Sequence, residues 1–352
     1  HSLLDSHKEI ILMPAYSFFR TLDFFHLQEG YHVTAIDSAD DMATALTKFI
    51  ANDSAYQVVR RQFIFNEVDE TIFCNSLTQF LLKSNIKNKI KRLFYGIHYA
   101  FAELQDLPLD RIKSIVIQEH VSWHCFEYQK IFDDIRFIFM MRDPRAAYAG
   151  GWKRQVDNAH FKRLNPFDLD KTILSWTYTH SFCASNQFNQ DKIMVMQNEK
   201  MHNNLDAEMK NLCSWMNIQF EDCCLDESFL GKPWLGESAY LAVDELSERP
   251  PEDFYDAEKV EQRWRGRLAK KDILMLEVIF RRSMKRYHYA PDNTLTFFTL
   301  IKVFFIYLFR VLTNQNERVR PLFTVMKWIR NFIRRLIILI APKYANKIFL
   351  LP

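Results

Sequence analysis

The sequence predicts an α/β fold, with a parallel sheet sandwiched by helices and followed by basic, hydrophobic C-terminal helices. Short apolar runs containing β-branched residues recur between residues 9 and 196, and stretches of helical periodicity separate them. Hydrophobic residues make up 48% of the chain and charged residues 25%, which supports a sizeable core and excludes a disordered polymer. Residues 294–352 carry ten lysines and arginines against one acid, Glu317, so the overall charge of +3 conceals a mildly acidic body.

The elements follow in order. Residues 1–8 read as the middle of a helix, and Glu9–Met13 is short and apolar. Over Ser38–Asn52, Asp40 and Asp41 fall in a first turn, while Met42, Ala45, Leu46 and Ile50 share one face of a helix. Helical stretches follow over 69–83 and 86–105, then a buried strand at Ser114–Gln118 and a helix over Cys125–Asp133. Arg136–Met141 is a second buried strand, Pro144–Trp152 begins a helix, and Pro166–Gln190 is a longer one. Lys192–Met196 is a third strand, followed by a helix over 205–217. Periodicity fades from Ser228 to Phe254, where Gly231, Pro233, Gly236, Pro250 and Pro251 mark loops, and a long helix runs from 256 to 287. The domain reading is a body over 1–290 and a helical tail over 291–352.

The segment Arg136–Trp152 (RFIFMMRDPRAAYAGGW) carries the most chemistry. Arg142 is the first residue beyond a strand's carboxyl end, the edge where open α/β sheets bind ligands. Pro144 presets a helical first turn whose free N–H groups suit an anion, and Arg142 and Arg145 add forked donors. A solvated strand–helix corner is the competing reading. The segment resembles the element with which sulfotransferases hold the 3′-phosphate of 3′-phosphoadenosine 5′-phosphosulfate. That resemblance implies a P-loop-type three-layer sandwich with a central parallel sheet. It assigns Arg142 to the phosphate and puts Gly150 where the family has a serine, a departure that removes one hydroxyl donor.

Other stretches fall in the order the resemblance requires. Lys192–Lys200 occupies the place of the family's strand and Tyr-Glu-Asp-Leu, matching only at Glu199. Phe229–Ser238 resembles the family's glycine-rich, Trp-containing loop. Val260–Tyr289 resembles the W-R-x-x-L … M-x-x-x-G-Y ending of carbohydrate-type members, with His288 in place of glycine. A basic loop near this point wraps the donor nucleotide in related enzymes, which makes Arg263, Arg265 and Gly266 candidates; a solvated helix face is the alternative.

Sulfuryl transfer needs a base for the acceptor's proton and fixed cations for the leaving phosphate. Ser114–His120 (SIVIQEH) brings Glu119 and His120 to the carboxyl end of a strand. His120 fits the histidine of the family's Lys-x-His triplet, with Gln118 at the lysine position. Glu119 fits the glutamate base of carbohydrate-modifying members, and His124 is a weaker candidate. Ser2–Ile10 resembles the helix that follows the family's phosphosulfate loop. The chain is therefore expected to begin just after that loop and to be impaired in donor binding as it stands.

Thr294–Leu312 is almost wholly apolar, and Leu322–Ala341 places Lys327, Arg330, Arg334 and Arg335 among aromatic and aliphatic residues. This pattern suits an anionic membrane surface, and helices packed on the body are the alternative. The six cysteines show no zinc-site or disulfide-scaffold spacing, so no metal is expected. Nucleic-acid binding is excluded because the basic residues concentrate in an apolar tail. The leading function is transfer of sulfuryl from 3′-phosphoadenosine 5′-phosphosulfate to a hydroxyl or amine of a carbohydrate or lipid. The expected location is a membrane's cytoplasmic face, or the Golgi lumen in a eukaryote. A P-loop-type small-molecule kinase and a non-catalytic membrane-associated relative are the alternatives.

Overall fold

A computed structural model describes residues 1–13, 17–52, 67–119, 124–149, 189–233, 257–262, 264–294 and 296–313, with single positions at 329, 333 and 336. Residues 1–8 form turns, not the helix their periodicity predicts. The amides of Leu4 and Asp5 bond back to the His1 carbonyl, but Ser6 then takes a left-handed φ of 67°. Asp5 holds that conformation by accepting hydrogen bonds from Ser228 Oγ at 2.8 Å and the Gly231 amide at 2.9 Å. Strand β1 (Ile10–Leu12) follows and is wholly buried.

Helix α1 (Phe18–Glu29) buries Phe18, Thr21, Leu22 and Phe25, one face at helical spacing, and ends at Gly30, whose φ of 76° allows a left-handed cap. Helix α2 (Ala39–Asn52) starts at Ser38, whose Oγ accepts the Asp41 amide. Helices α3 (Glu67–Lys83) and α4 (Lys89–Leu104) follow, the second capped by Asn88. Strand β2 (Ser114–Val116) is half-buried and precedes α5 (His124–Ile131).

Strand β3 (Phe137–Met141) buries Phe137, Phe139 and Met141 but leaves Met140 54% exposed, so one of its faces is open where the sequence predicts full burial. Residues 144–149 are helical, and the predicted helix at 166–190 lies largely outside the described residues. Strand β4 (Ile193–Gln197) leads into α6 (Asn198–Asn203) and α7 (Leu205–Met216). Strands β5 (Ser228–Phe229) and β6 (Lys232–Pro233) make a small hairpin through Leu230 and Gly231, both at positive φ as a two-residue turn requires. Helices α8 (Ala257–Gln262), α9 (Lys270–Arg286) and α10 (Phe297–Thr313) complete the series. The long helix predicted over 256–287 is thus two helices, separated by turns at 264–268 that include Gly266 at φ 75°.

The chain forms two compact units, each visited twice. The first comprises His1–Ile135 and Asn204–Phe254. In it β1 and β2 pair in parallel, with Ile11 opposite Ile115, and α3 packs against α2 and α4. The second comprises Arg136–Asn203 and Tyr255–Pro352. There β3 and β4 pair in parallel from Phe137 opposite Ile193 to Met141 opposite Gln197. Its core joins Tyr148 to Met275, Leu276, Phe280 and Met284 of α9 and Val303 of α10. The fold is therefore mixed α/β, with small parallel sheets of two strands each. Among the described residues no helix is long and apolar enough to cross a membrane.

The tightest helix contact tests the packing of the first unit. A Cβ on Gly96 of α4 would lie 2.8 Å from Leu77 Cδ1 and 3.1 Å from Phe80 Cδ1 of α3. Gly96→Val is expected to destabilise the protein by about 1–3 kcal/mol in urea unfolding, because the branched side chain forces these helices apart. An unchanged or raised midpoint would show that this contact is slack.

Candidate active site

Glu119 stands three residues beyond the end of β2 and is drawn into a cluster built mainly by α1 and α5. Its side chain is only 10% exposed. Ser17, the residue that opens α1, does not cap that helix with its hydroxyl. It donates instead to Glu119 Oε1 at 2.7 Å. Tyr128 donates its hydroxyl to Oε2 at 3.3 Å. His124 places Nδ1 3.2 Å from the same oxygen, and its Nε2 lies 3.2 Å from Asp23 Oδ2. Phe19 packs on both the Tyr128 and His124 rings, closing the apolar side.

A buried histidine between two carboxylates has a defined electrostatic state. Burial pushes the His124 imidazolium towards losing its proton, but Glu119 and then Asp23 outweigh it, and the pKa lies above the ordinary value of 6.5. The row Asp23–His124–Glu119 sets an imidazole between an exposed carboxylate and one that is 10% exposed. Of the residues that the sequence nominates here, Glu119 and His124 are brought together, and His120 lies outside the described residues. Ser17, Asp23 and Tyr128 were not nominated. The one local signal was Ser17, a helix-opening serine whose hydroxyl serves a distant carboxylate.

In the second unit, Arg142 immediately follows β3 and is half-buried. Asp143 then caps the helix at 144–149, its Oδ1 accepting the Arg145 amide at 2.8 Å, with Pro144 in the first helical position. On the sequence alone, the N–H groups of this helix start are offered to an external anion. At least one of them is met by the chain's own carboxylate.

Arg145 is also committed internally. Its Nε and Nη2 grip Asp143 at 3.0 and 2.6 Å, Nη1 donates to Glu277 Oε1 at 2.7 Å, and Nη2 donates to the Ala290 carbonyl at 2.9 Å. Its guanidinium carbon lies 4.2 Å from the Trp264 ring centre. Burial would lower its pKa, but Asp143 and Glu277 raise it, so the charge is fixed. Glu277, wholly buried, also accepts the Asp292 and Asn293 amides. Glu199 accepts the Asp143 amide at 2.9 Å and the Tyr289 hydroxyl at 2.8 Å; burial and then this carboxylate push the phenol's pKa up.

Arg265 is half exposed and forms a two-pronged pair with Asp292 at 2.6 and 3.0 Å, its guanidinium also over Trp264. Gly266 supplies the left-handed turn behind it. Gly150 and Arg263 lie outside the described residues. Of the nominated cations, Arg145 is closed off, Arg265 is held by an exchangeable surface partner, and Arg142 stands at the strand edge.

A family model described as "Sulfotransferase family" matches residues 1–222. Among solved structures, the chain is similar to the sulfotransferase domain from the Synechococcus PCC 7002 olefin synthase. Identity is 13% and the TM-score 0.41, over 81% of this chain and 97% of that one. No curated protein matches the sequence.

The His124 cluster implies a pH dependence of known sign. A raised folded-state pKa gives stabilisation that is complete below the unfolded value of about 6.5 and fades as pH rises through the folded value. In urea unfolding, His124→Gln is therefore expected to fall further below wild type at about pH 6 than at about pH 9. A gap that stays constant or widens with pH would contradict the charged bridge.

Proposed function

This chain belongs to the sulfotransferase family, and on that premise we propose that it transfers sulfuryl from 3′-phosphoadenosine 5′-phosphosulfate to a hydroxyl, or an amine, of a carbohydrate or lipid, with Glu119 taking the acceptor's proton. Sulfuryl transfer in general follows from the family; the donor, the acceptor class and the residue roles are the proposal. The same reading takes the parallel strand pairs as parts of a P-loop-type sandwich.

The observation that carries the assignment is the Glu119 cluster. A carboxylate at a strand's carboxyl end, 10% exposed and beside an imidazole, has the composition of a general base. In the reaction, the acceptor oxygen bonds to sulfur as the bond from sulfur to the phosphate oxygen breaks. The acceptor's proton passes to Glu119, and adenosine 3′,5′-bisphosphate leaves. Ser17 and Tyr128 hold the carboxylate in place, so they position the base and do not react.

Arg142 is assigned to the 3′-phosphate, since its neighbours Asp143 and Arg145 are consumed in fixing the corner it projects from. Arg265 can join only by exchanging Asp292 for the donor, which its half-exposed position permits. A cleft lined by Phe25, Phe49, Gln28, Glu29, Asp41 and Lys48, among others, mixes two aromatic rings with several hydrogen-bonding groups, a composition suited to a sugar.

Membrane association is part of the same reading. Helix α10 sets Val303 against the core but exposes Phe297 (71%), Phe298 (81%), Ile301 and Phe305 (53%). Aromatic exposure within the most basic stretch of the chain fits an anionic lipid surface. A chain ending at Asp292 is expected to lose co-sedimentation with vesicles containing phosphatidylserine, and retained binding would dispose of the idea.

For catalysis, Glu119→Gln is expected to lower kcat by about 10²–10⁴-fold with the donor KM little changed. Arg142→Ala is expected to raise the donor KM by roughly 10–100-fold, as loss of a charged hydrogen bond predicts. Adenosine 3′,5′-bisphosphate should compete with the donor and ATP should not. Wild-type turnover in the Glu119 variant, or equal competition by ATP, would remove the assignment.

A further inference from the structure

The first unit brings His7, Cys213 and Cys224 together, although more than 200 residues separate the histidine from the thiols. All three are buried, at 2%, 1% and 0% exposure. One donor atom from each lies within 4.8 Å of the others. His7 precedes β1, Cys213 lies on α7, and Cys224 sits in the short 3-10 turn Asp222–Leu225. We propose that these three residues bind a zinc ion that clamps the start of the chain to α7 and the turn after it.

The distances favour a metal over a disulfide. The Cys213 and Cys224 sulfurs are 4.0 Å apart. A disulfide requires about 2.05 Å, whereas two thiolates at about 2.3 Å from a tetrahedral zinc stand roughly 3.8 Å from each other. The pair needs almost no movement to ligate.

The histidine is oriented as metal ligands usually are. Its Nε2 is 2.7 Å from the Gln219 carbonyl, which can only accept, so Nε2 carries the proton and Nδ1 keeps its lone pair. That lone pair accepts the Glu9 amide at 3.1 Å, a hydrogen bond of ordinary length that the zinc displaces. Glu9 is itself tied to the same loop, its carboxylate accepting the Gln219 amide at 2.8 Å. The site thus has one outer-shell anchor already in place.

Charge decides the ion. Two thiolates, a neutral imidazole and a dication sum to zero, so the buried cluster carries no net charge into the interior. Each thiol loses one proton to solvent as the metal enters, two per zinc, and nothing is oxidised. Sulfur and imidazole donors select zinc over magnesium or calcium. Cys223 adjoins Cys224, but its thiol turns to Glu221 Oε2 at 3.8 Å and it stays outside the donor set. The fourth position is left to water.

The test uses the full chain, reduced and treated with chelator, titrated with cobalt(II) as a spectroscopic stand-in and then with zinc. One cobalt per chain is expected, with thiolate-to-cobalt charge-transfer absorption and tetrahedral visible bands that zinc abolishes. Cys213→Ser and Cys224→Ser should lose the charge-transfer band, Cys223→Ser should keep it, and zinc should raise the Tm of wild type and C223S only. X-ray absorption of the zinc-loaded wild type gives an answer even if the serine variants do not fold: two sulfurs at about 2.3 Å and one nitrogen at about 2.0 Å are expected. Absence of the charge-transfer band, a first shell without sulfur, or equal binding by C213S and C224S overturns the proposal.

Discussion

The second unit depends on one buried charge. Arg145 is 4% exposed, so every donor of its guanidinium must find a partner inside the protein. It finds Asp143 on its own corner, Glu277 on α9 and the Ala290 carbonyl beyond that helix. One side chain thereby fixes the end of β3 to a helix that begins more than 120 residues later. Removing a partner from such a pair costs about 3–5 kcal/mol, because the remaining charge stays buried and unmet. The corner that carries Arg142 is held by this requirement more than by the strand itself.

The Glu119 cluster solves the opposite problem. Arg145 is a cation surrounded by acceptors, whereas Glu119 is an acceptor surrounded by donors. Ser17, Tyr128 and His124 engage its two oxygens, and a carboxylate has about four lone-pair sites. The two arginines of a single short motif differ in burial: Arg145 is closed inside its network, and Arg142 stands half-buried at the strand edge.

How much of this was legible in the sequence depended on the range of the interaction involved. Helix α2 was readable because Ser38, Asp40 and Asp41 mark its start locally and Met42, Leu46 and Ile50 mark its face. Strands β3 and β4 were readable from their apolar runs and their placement between helical segments. The opening turn was not, since Asp5 is held by Ser228 and Gly231, over 220 positions away. The break at Gly266 was hidden by helical periodicity that continues on both sides. Arg142 and Glu119 could be nominated from their positions after strands, but Asp23 could not, because an acid on an amphipathic helix has no signature until His124 is placed opposite it. The proximity of His7, Cys213 and Cys224 was not legible for the same reason, since residues drawn from such distant parts of the chain have no local period.

The charge on His124 bears on how Glu119 can act as a base. If the imidazole were neutral, it would accept the acceptor's proton itself and Glu119 would only orient it. Burial opposes the charged ring, but Glu119 and Asp23 together raise the His124 pKa and favour the imidazolium. An imidazolium carries a proton on each ring nitrogen, so Nδ1, 3.2 Å from Glu119, has no lone pair for a further proton, and the carboxylate is the acceptor in the row. The cluster thus sets a charged ring between two carboxylates of unequal exposure, Glu119 at 10% and Asp23 at 66%, and the ring's charge keeps the less exposed one in its ionised form.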